Sequence, residues 1–121
     1  MVVGIRKGGS FELKIYKDLR KDYNNVRRTI GSGSSDEVAD IILKIADKDY
    51  SIECKHIKQV KWYMLNKFWR KLRYSIGNHN LIPIIVFRQN REPIMVMCIM
   101  KCNNKNVRGI TSYNIWKQTL D

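Results

Sequence analysis

Apolar and polar positions recur along this chain at two different periods, and the switches between them mark out its elements. Phe11, Ile15 and Leu19 stand at helical spacing, so a helix is predicted from Ser10 to about Tyr23. Ser10 is a natural N-cap after Gly8-Gly9. Glu12 would then lie in the first turn, where the helix dipole favours a carboxylate. Asn24-Asn25 turns the chain, and a short strand is expected from Val26 to Ile30. The polar loop Gly31-Ser32-Gly33-Ser34-Ser35 follows. From Val38 to Ile45 the period falls to two, with Ala39, Ile41, Leu43 and Ile45 on one face and Asp40, Ile42 and Lys44 on the other. After a turn at Asp47-Lys48-Asp49, a strand returns from Tyr50 to His56. Tyr50, Ile52 and Cys54 share one of its faces; Ser51, Glu53 and Lys55 share the other.

The period then lengthens again. Trp62, Leu65, Trp69, Leu72 and Ile76 keep a 3–4–3–4 spacing, which predicts an amphipathic helix from Val60 to Ile76 with Gly77 as its stop and with its two tryptophans read as packing residues ahead of base-stacking ones. Leu81 to Phe87 and Ile94 to Met100 read as buried strands joined by the turn Gln89-Asn90-Arg91-Glu92-Pro93. A last helix is expected from Ser112 to Leu120, with Ile115 and Trp116 pointing inward. This order predicts a single α/β domain over residues 1–121, with a central mixed five-stranded β-sheet flanked by helices.

The first hairpin raises a question of parity. An even-numbered loop puts both apolar sets on one face and gathers Asp40, Glu53 and Lys55 away from them. An odd loop would push charges into the core. Burial therefore selects the register that assembles an Asp, a Glu and a Lys.

Charge narrows the class. Lys and Arg number 23 against 11 Asp and Glu, a net charge of +12 with a pI of about 9.9. A small domain this basic repels itself until it meets a polyanion, and nucleic acid leads over an acidic membrane surface or a merely solubilising exterior. Cys54, Cys98 and Cys102 form no C-x-x-C pair, and His56 and His79 are too scattered for zinc. An odd cysteine count without a framework fits a reducing compartment, and no apolar run spans a membrane or forms a signal peptide, so an intracellular protein is expected. The mixture rich in Lys, Ile and Asn fits an AT-rich genome, such as a viral one.

Asp-x12-Glu-x-Lys, here Asp40, Glu53 and Lys55, has a mechanical logic. Two nearby carboxylates repel unless a cation lies between them, and hard oxygen donors suit Mg²⁺, with Mn²⁺ as substitute. The backbone carbonyl of Cys54 is a further candidate ligand, and Glu12 could complete the shell from the first helix. Such an ion activates water and neutralises a scissile phosphate, while Lys55 orients the water or offsets charge.

"RKGGSFELKIYKDL" (6–19), "GSGSSDEVADIIL" (31–43) and "YSIECK" (50–55) occur here in the order that resembles archaeal Holliday-junction resolvases and their viral relatives, in the PD-(D/E)XK nuclease superfamily. The later hairpin "LIPIIVFRQNREPIMVM" resembles the last strands of short phage and archaeal-virus versions. The resemblance implies a restriction-endonuclease-like fold and a catalytic set of Glu12, Asp40, Glu53 and Lys55, with Ser32 as an active-site loop serine. It also implies Mg²⁺-dependent homodimers that cut opposed strands of four-way junction DNA. Ala39-Asp40 stands where the family has its "PD", and Asp36 is read as a loop or capping residue.

A two-fold dimer matches the approximate symmetry of a junction. Arg6, Lys7, Arg27, Arg28, Lys58 and Lys61 are the candidate phosphate contacts. Three functions stay open on the residues: a junction-resolving endonuclease, a related nuclease of flap, nick or single-strand specificity, and a DNA-binding module without catalysis. No membrane and no small-molecule substrate is expected.

Overall fold

In the computed structural model, residues 3–29 and 39–120 are described, with side chains from residue 9 onward. The elements run α1 (Val3–Asp22), β1 (Val26–Arg28), β2 (Ile41–Ile45), β3 (Lys48–Ile57), α2 (Trp62–Ile76), β4 (Ile82–Gln89), β5 (Met95–Cys102), β6 (Lys105–Ser112) and α3 (Tyr113–Gln118). The strands form one six-stranded sheet in sequential order. Among the described residues only β3 and β4 pair in parallel, and α2 carries the chain between them.

Helices cover both faces. On one, Phe11, Ile15 and Leu19 of α1 and Trp116 of α3 pack with Ile41, Leu43, Ile52, Ile84, Val86 and Val96. On the other, Leu65, Trp69, Leu72 and Ile76 of α2 pack with Ile85, Phe87 and Met97. The unbroken apolar run Ile84–Phe87 is explained by this double cover, since alternate residues feed opposite cores.

The β2–β3 turn holds two residues, Ala46 and Asp47, because Ile45 pairs with Lys48. Ala46 takes a positive φ of 55° to close it. The even loop aligns Ile41 with Ile52 and Leu43 with Tyr50, all four in the α1-side core. The parity expected from burial is the one observed.

Several expectations are corrected. The first helix begins at Val3, so Ser10 is an exposed interior position and not an N-cap, and Glu12 is well past a first turn that holds no acid. Gly8-Gly9 weakens a helix without stopping one whose later turns are anchored in the core. The second strand starts at Ile41 rather than Val38, and Ala39 packs in the α2-side core, away from Ile41 and Leu43. Beyond Ile41 the backbone bends, which breaks the alternation. The sheet has a sixth strand, β6, whose polar KNVRGITS shows no apolar alternation. Asn103 and Asn104, both at positive φ, form the tight turn that leads into it. Ile115 is 55% exposed, whereas Trp116 is buried at 3%. Trp62 is also on the outside, at 54%. Among the described residues no helix is long and apolar enough to cross a membrane.

Candidate active site

The candidate site begins where the β2–β3 ladder ends. Past the Ile41–Ile52 pair, the Asp40 N–H donates to the Ile52 carbonyl at 3.0 Å, and the Thr29 N–H donates to the Asp40 carbonyl at 2.9 Å. The Thr29 hydroxyl also donates to the Ala39 carbonyl. Asp40 is thus gripped from both sides on its backbone. Its side chain is held too: Oδ2 accepts the Cys54 N–H at 2.8 Å. Cys54 lies between Glu53 and Lys55, so this one bond carries Asp40 to the strand that bears the other two groups.

Glu53 and Lys55 share a face of β3, and Lys55 Nζ lies 3.3 Å from Glu53 Oε2. The Lys55 ammonium also sits 4.7 Å from the centre of the Phe68 ring on α2. Glu12 comes from α1, where its Oε2 accepts Arg28 Nε at 2.8 Å. Of the candidate phosphate contacts, Arg27, Lys58 and Lys61 are exposed, whereas Arg28 is already committed to Glu12. Ser32 and Asp36 lie outside the described residues, as do the side chains of Arg6 and Lys7. Thr29 and Phe68 were not foreseen. The apolar stripe of α2 does not predict Phe68, because it sits beside that stripe.

Electrostatics single out Asp40. Burial raises its pKa most, and the charge of Glu53 adds to this. The Cys54 N–H opposes the shift, Glu12 adds a smaller rise and Lys55 a smaller fall; the net result is about 7. Burial first, then Asp40 and the two glutamates, pushes the Cys54 thiol well up. It stays protonated and offers no thiolate ligand.

These residues fit a hard divalent cation in charge and donor type. A carboxylate that holds its proton to about pH 7 beside two further carboxylates is under-neutralised, and a cation would replace that proton. Yet among the described residues no three His, Cys, Asp or Glu side chains are gathered into a ligand group. One oxygen each of Glu12, Glu53 and Asp40 is engaged by Arg28, Lys55 and the Cys54 N–H. Asp40, Glu53 and the Cys54 carbonyl are the nearest candidates, with water completing the shell.

Charge is also segregated along the chain. Residues 54–121 hold thirteen Lys and Arg against two carboxylates, Glu92 and Asp121. The other nine acids all fall in the first 53 residues, Glu12, Asp40 and Glu53 among them.

Residues 5–120 match the model of the phage PDDEXK endonuclease family. The chain belongs to that family. As a PDDEXK endonuclease it is a nuclease acting on DNA, and nucleases of this superfamily generally use divalent metals. Hjc, a Holliday junction resolvase from the archaeal hyperthermophile Archaeoglobus fulgidus, is similar in structure. The match covers 93% of this PDDEXK endonuclease and 88% of the Hjc chain, with a TM-score of 0.52 and 13% sequence identity. At that identity the likeness is one of fold: a mixed sheet flanked by helices, here with six strands. A search of curated protein sequences returns no match.

Proposed function

We propose that this PDDEXK endonuclease is a structure-selective endodeoxyribonuclease that resolves four-way DNA junctions as a homodimer, using Mg²⁺ or Mn²⁺. The observation that carries the reading is the Asp40–Cys54 bond, which joins one acid to the strand segment holding Glu53 and Lys55. The resolvase-like motifs and the fold of Hjc support the choice of junctions over other DNA.

In this reading Asp40, Glu53 and the Cys54 carbonyl would hold the ion, with Glu12, paired to Arg28, as a further candidate ligand. The ion, when bound, activates a water and offsets charge on the scissile phosphate. Asp40 supplies a carboxylate whose position is fixed by Thr29, Ile52 and Cys54, so little reorganisation accompanies reaction. Lys55, braced by Glu53 and the Phe68 ring, orients the attacking water or donates to a phosphate oxygen as negative charge builds there. Ser32 in the Gly/Ser loop contributes a phosphate contact. Arg6, Lys7, Arg27, Lys58 and Lys61 steer the backbone without reading bases. Arg28 acts mainly through Glu12.

A metal-titrated cleavage assay tests this, with a mobile four-way junction, linear duplex, flap and single strand compared side by side. Paired nicks across the junction, faster than on the other substrates and lost in Asp40→Asn and Glu53→Gln, are expected. Equal rates on all four would leave a PDDEXK nuclease of another specificity. Mg²⁺-dependent nicking that survives both substitutions would remove the catalytic assignment.

A further inference from the structure

Trp62 stands where its spacing predicts burial, yet it is 54% exposed, while Trp69, two turns further along α2, is 6% exposed. Between the two indoles lies one guanidinium. The Arg108 Cζ is 5.6 Å from the centre of each ring, and Arg108 also donates to the Asn66 amide oxygen. Arg108 comes from β6, a strand whose partner residue there is the exposed Ile99. The exposed indole is therefore backed by a cation that is itself fixed by a buried indole and a hydrogen bond. An exposed tryptophan usually costs solubility, and an arginine so committed has surrendered its freedom to solvate. The arrangement presents a rigid, polarised aromatic surface outward.

The surroundings say what such a surface would meet. Between Glu53 and Glu92 the chain holds no carboxylate at all. Lys58 and Lys61 immediately precede Trp62, and Tyr63 beside it is 67% exposed. Four residues separate α2 from β3, the strand of Glu53 and Lys55, and Phe68 on the same helix packs its ring on Lys55. Aromatic surface within a cationic field is the recognition chemistry of unpaired bases. The ring stacks on the base, and the lysines hold the flanking phosphates.

From this juxtaposition we infer that Trp62, seated on Arg108, is a stacking platform for an unpaired DNA base of the substrate that is cut. Trp62 is thus a specificity-determining residue and Arg108 its positioning residue. The inference rests on the proposed DNA-cutting function. It extends that function by naming the feature of the substrate that is read: a base freed from its stack, as at a branch point, rather than duplex backbone alone.

The test is binding without cleavage. With EDTA present, the full chain is titrated with an oligothymidylate of roughly 12 nucleotides, within the span of one single-strand groove. An abasic oligomer of the same length serves as control. Tryptophan emission is followed, and Trp62 dominates its quenching because Trp69 and Trp116 are buried. The oligothymidylate is expected to quench emission saturably. The abasic oligomer is expected to bind through its phosphates without quenching. Trp62→Ala should lose roughly ten-fold in affinity for the oligothymidylate and none for the abasic oligomer, with Tm unchanged. Trp62→Phe should recover most of that affinity, and Arg108→Ala should show an intermediate loss. Equal losses on both oligomers, or none on either, would overturn the inference. So would a free protein in which acrylamide cannot reach Trp62 and Trp62→Ala dissociates a dimer, for then the indole is an interface residue. Because no step requires catalysis, inactivity of the wild-type enzyme on junctions would sink the proposed function and leave this result standing.

Discussion

The Cys54 N–H donates to Asp40 Oδ2 at 2.8 Å, fourteen residues back along the chain, just past the point where the β2–β3 ladder stops. A side-chain oxygen there satisfies a strand N–H. The same oxygen belongs to the most electrostatically strained acid of the site, since burial and the charges of Glu53 and Glu12 hold the Asp40 pKa at about 7.

That strain has a sign. The folded-state value of about 7 lies above the ordinary 3.8, so folding binds the Asp40 proton. This contribution to stability is complete below the unfolded value and is lost as pH rises through about 7. In EDTA the Tm is expected to fall between pH 5 and pH 8 for this reason. Asp40→Asn keeps an oxygen for the Cys54 N–H but has nothing to ionise. It should flatten the profile and be more stable than wild type at pH 8 by on the order of 1–3 kcal/mol. Thermal unfolding of both proteins across that range checks it. A mutant less stable at pH 8 would show that the carboxylate is not under-neutralised.

Lys55 is expected to matter for rate and little for folding. Lys55→Met should lower cleavage by on the order of 100-fold or more while affinity for DNA in EDTA changes only a few-fold. Phe68→Leu removes the ring beneath the ammonium and should lower the rate by about five-fold. Single-turnover cleavage beside an EDTA binding titration separates these effects.

Ser51 precedes this pair on the same face of β3. It is fully buried, and its hydroxyl finds no hydrogen-bond partner among the described residues. Ser51→Ala should be neutral, or stabilising by about 1 kcal/mol, in urea unfolding. A clear loss of stability would reveal a partner for the hydroxyl.

The docking of α3 on α1 gives an opposite pH dependence. The Tyr113 hydroxyl and Lys117 Nζ donate to Asp18 Oδ2 at 2.8 and 2.9 Å, and Lys117 also reaches Asp22 at 2.8 Å. Burial tends to raise the Asp18 pKa, but the bonds from Lys117 and Tyr113 outweigh it and the net shift is downward. The stabilisation is therefore present above the unfolded value near 4 and is lost as pH falls through the lower folded one. Asp18→Asn should destabilise at pH 7 and do so less at pH 3. Tyr113→Phe should cost about 1 kcal/mol at pH 7. Denaturant midpoints at the two pH values decide it.

The parts of the fold that follow a strict period were legible from residues alone. Phe11, Ile15 and Leu19 face the core as their spacing requires, and the Ile41–Ile52 pairing follows from parity. What escaped were places where tertiary contact overrides local preference. Gly8-Gly9 does not end a helix that continues into an anchored stripe, and β6 is held by pairing with β5 rather than by apolar alternation. The Asn103-Asn104 turn was its one readable signal. In the site, the Asp40–Glu53–Lys55 spacing is readable because a hairpin converts it directly into proximity. The Arg28–Glu12 bond is not, because it joins elements whose packing no local pattern specifies. Trp62 keeps the helical period yet lies beyond the end of the apolar cover.

The uneven division of charge between the acid-bearing first 53 residues and the base-rich remainder also bears on the moments before contact. A molecule so divided experiences a torque in the field of a polyanion as well as an attraction. It arrives already turned, its base-rich part foremost, so fewer collisions are wasted on the wrong side. Added salt would then blur the aim of each encounter as well as slow its frequency.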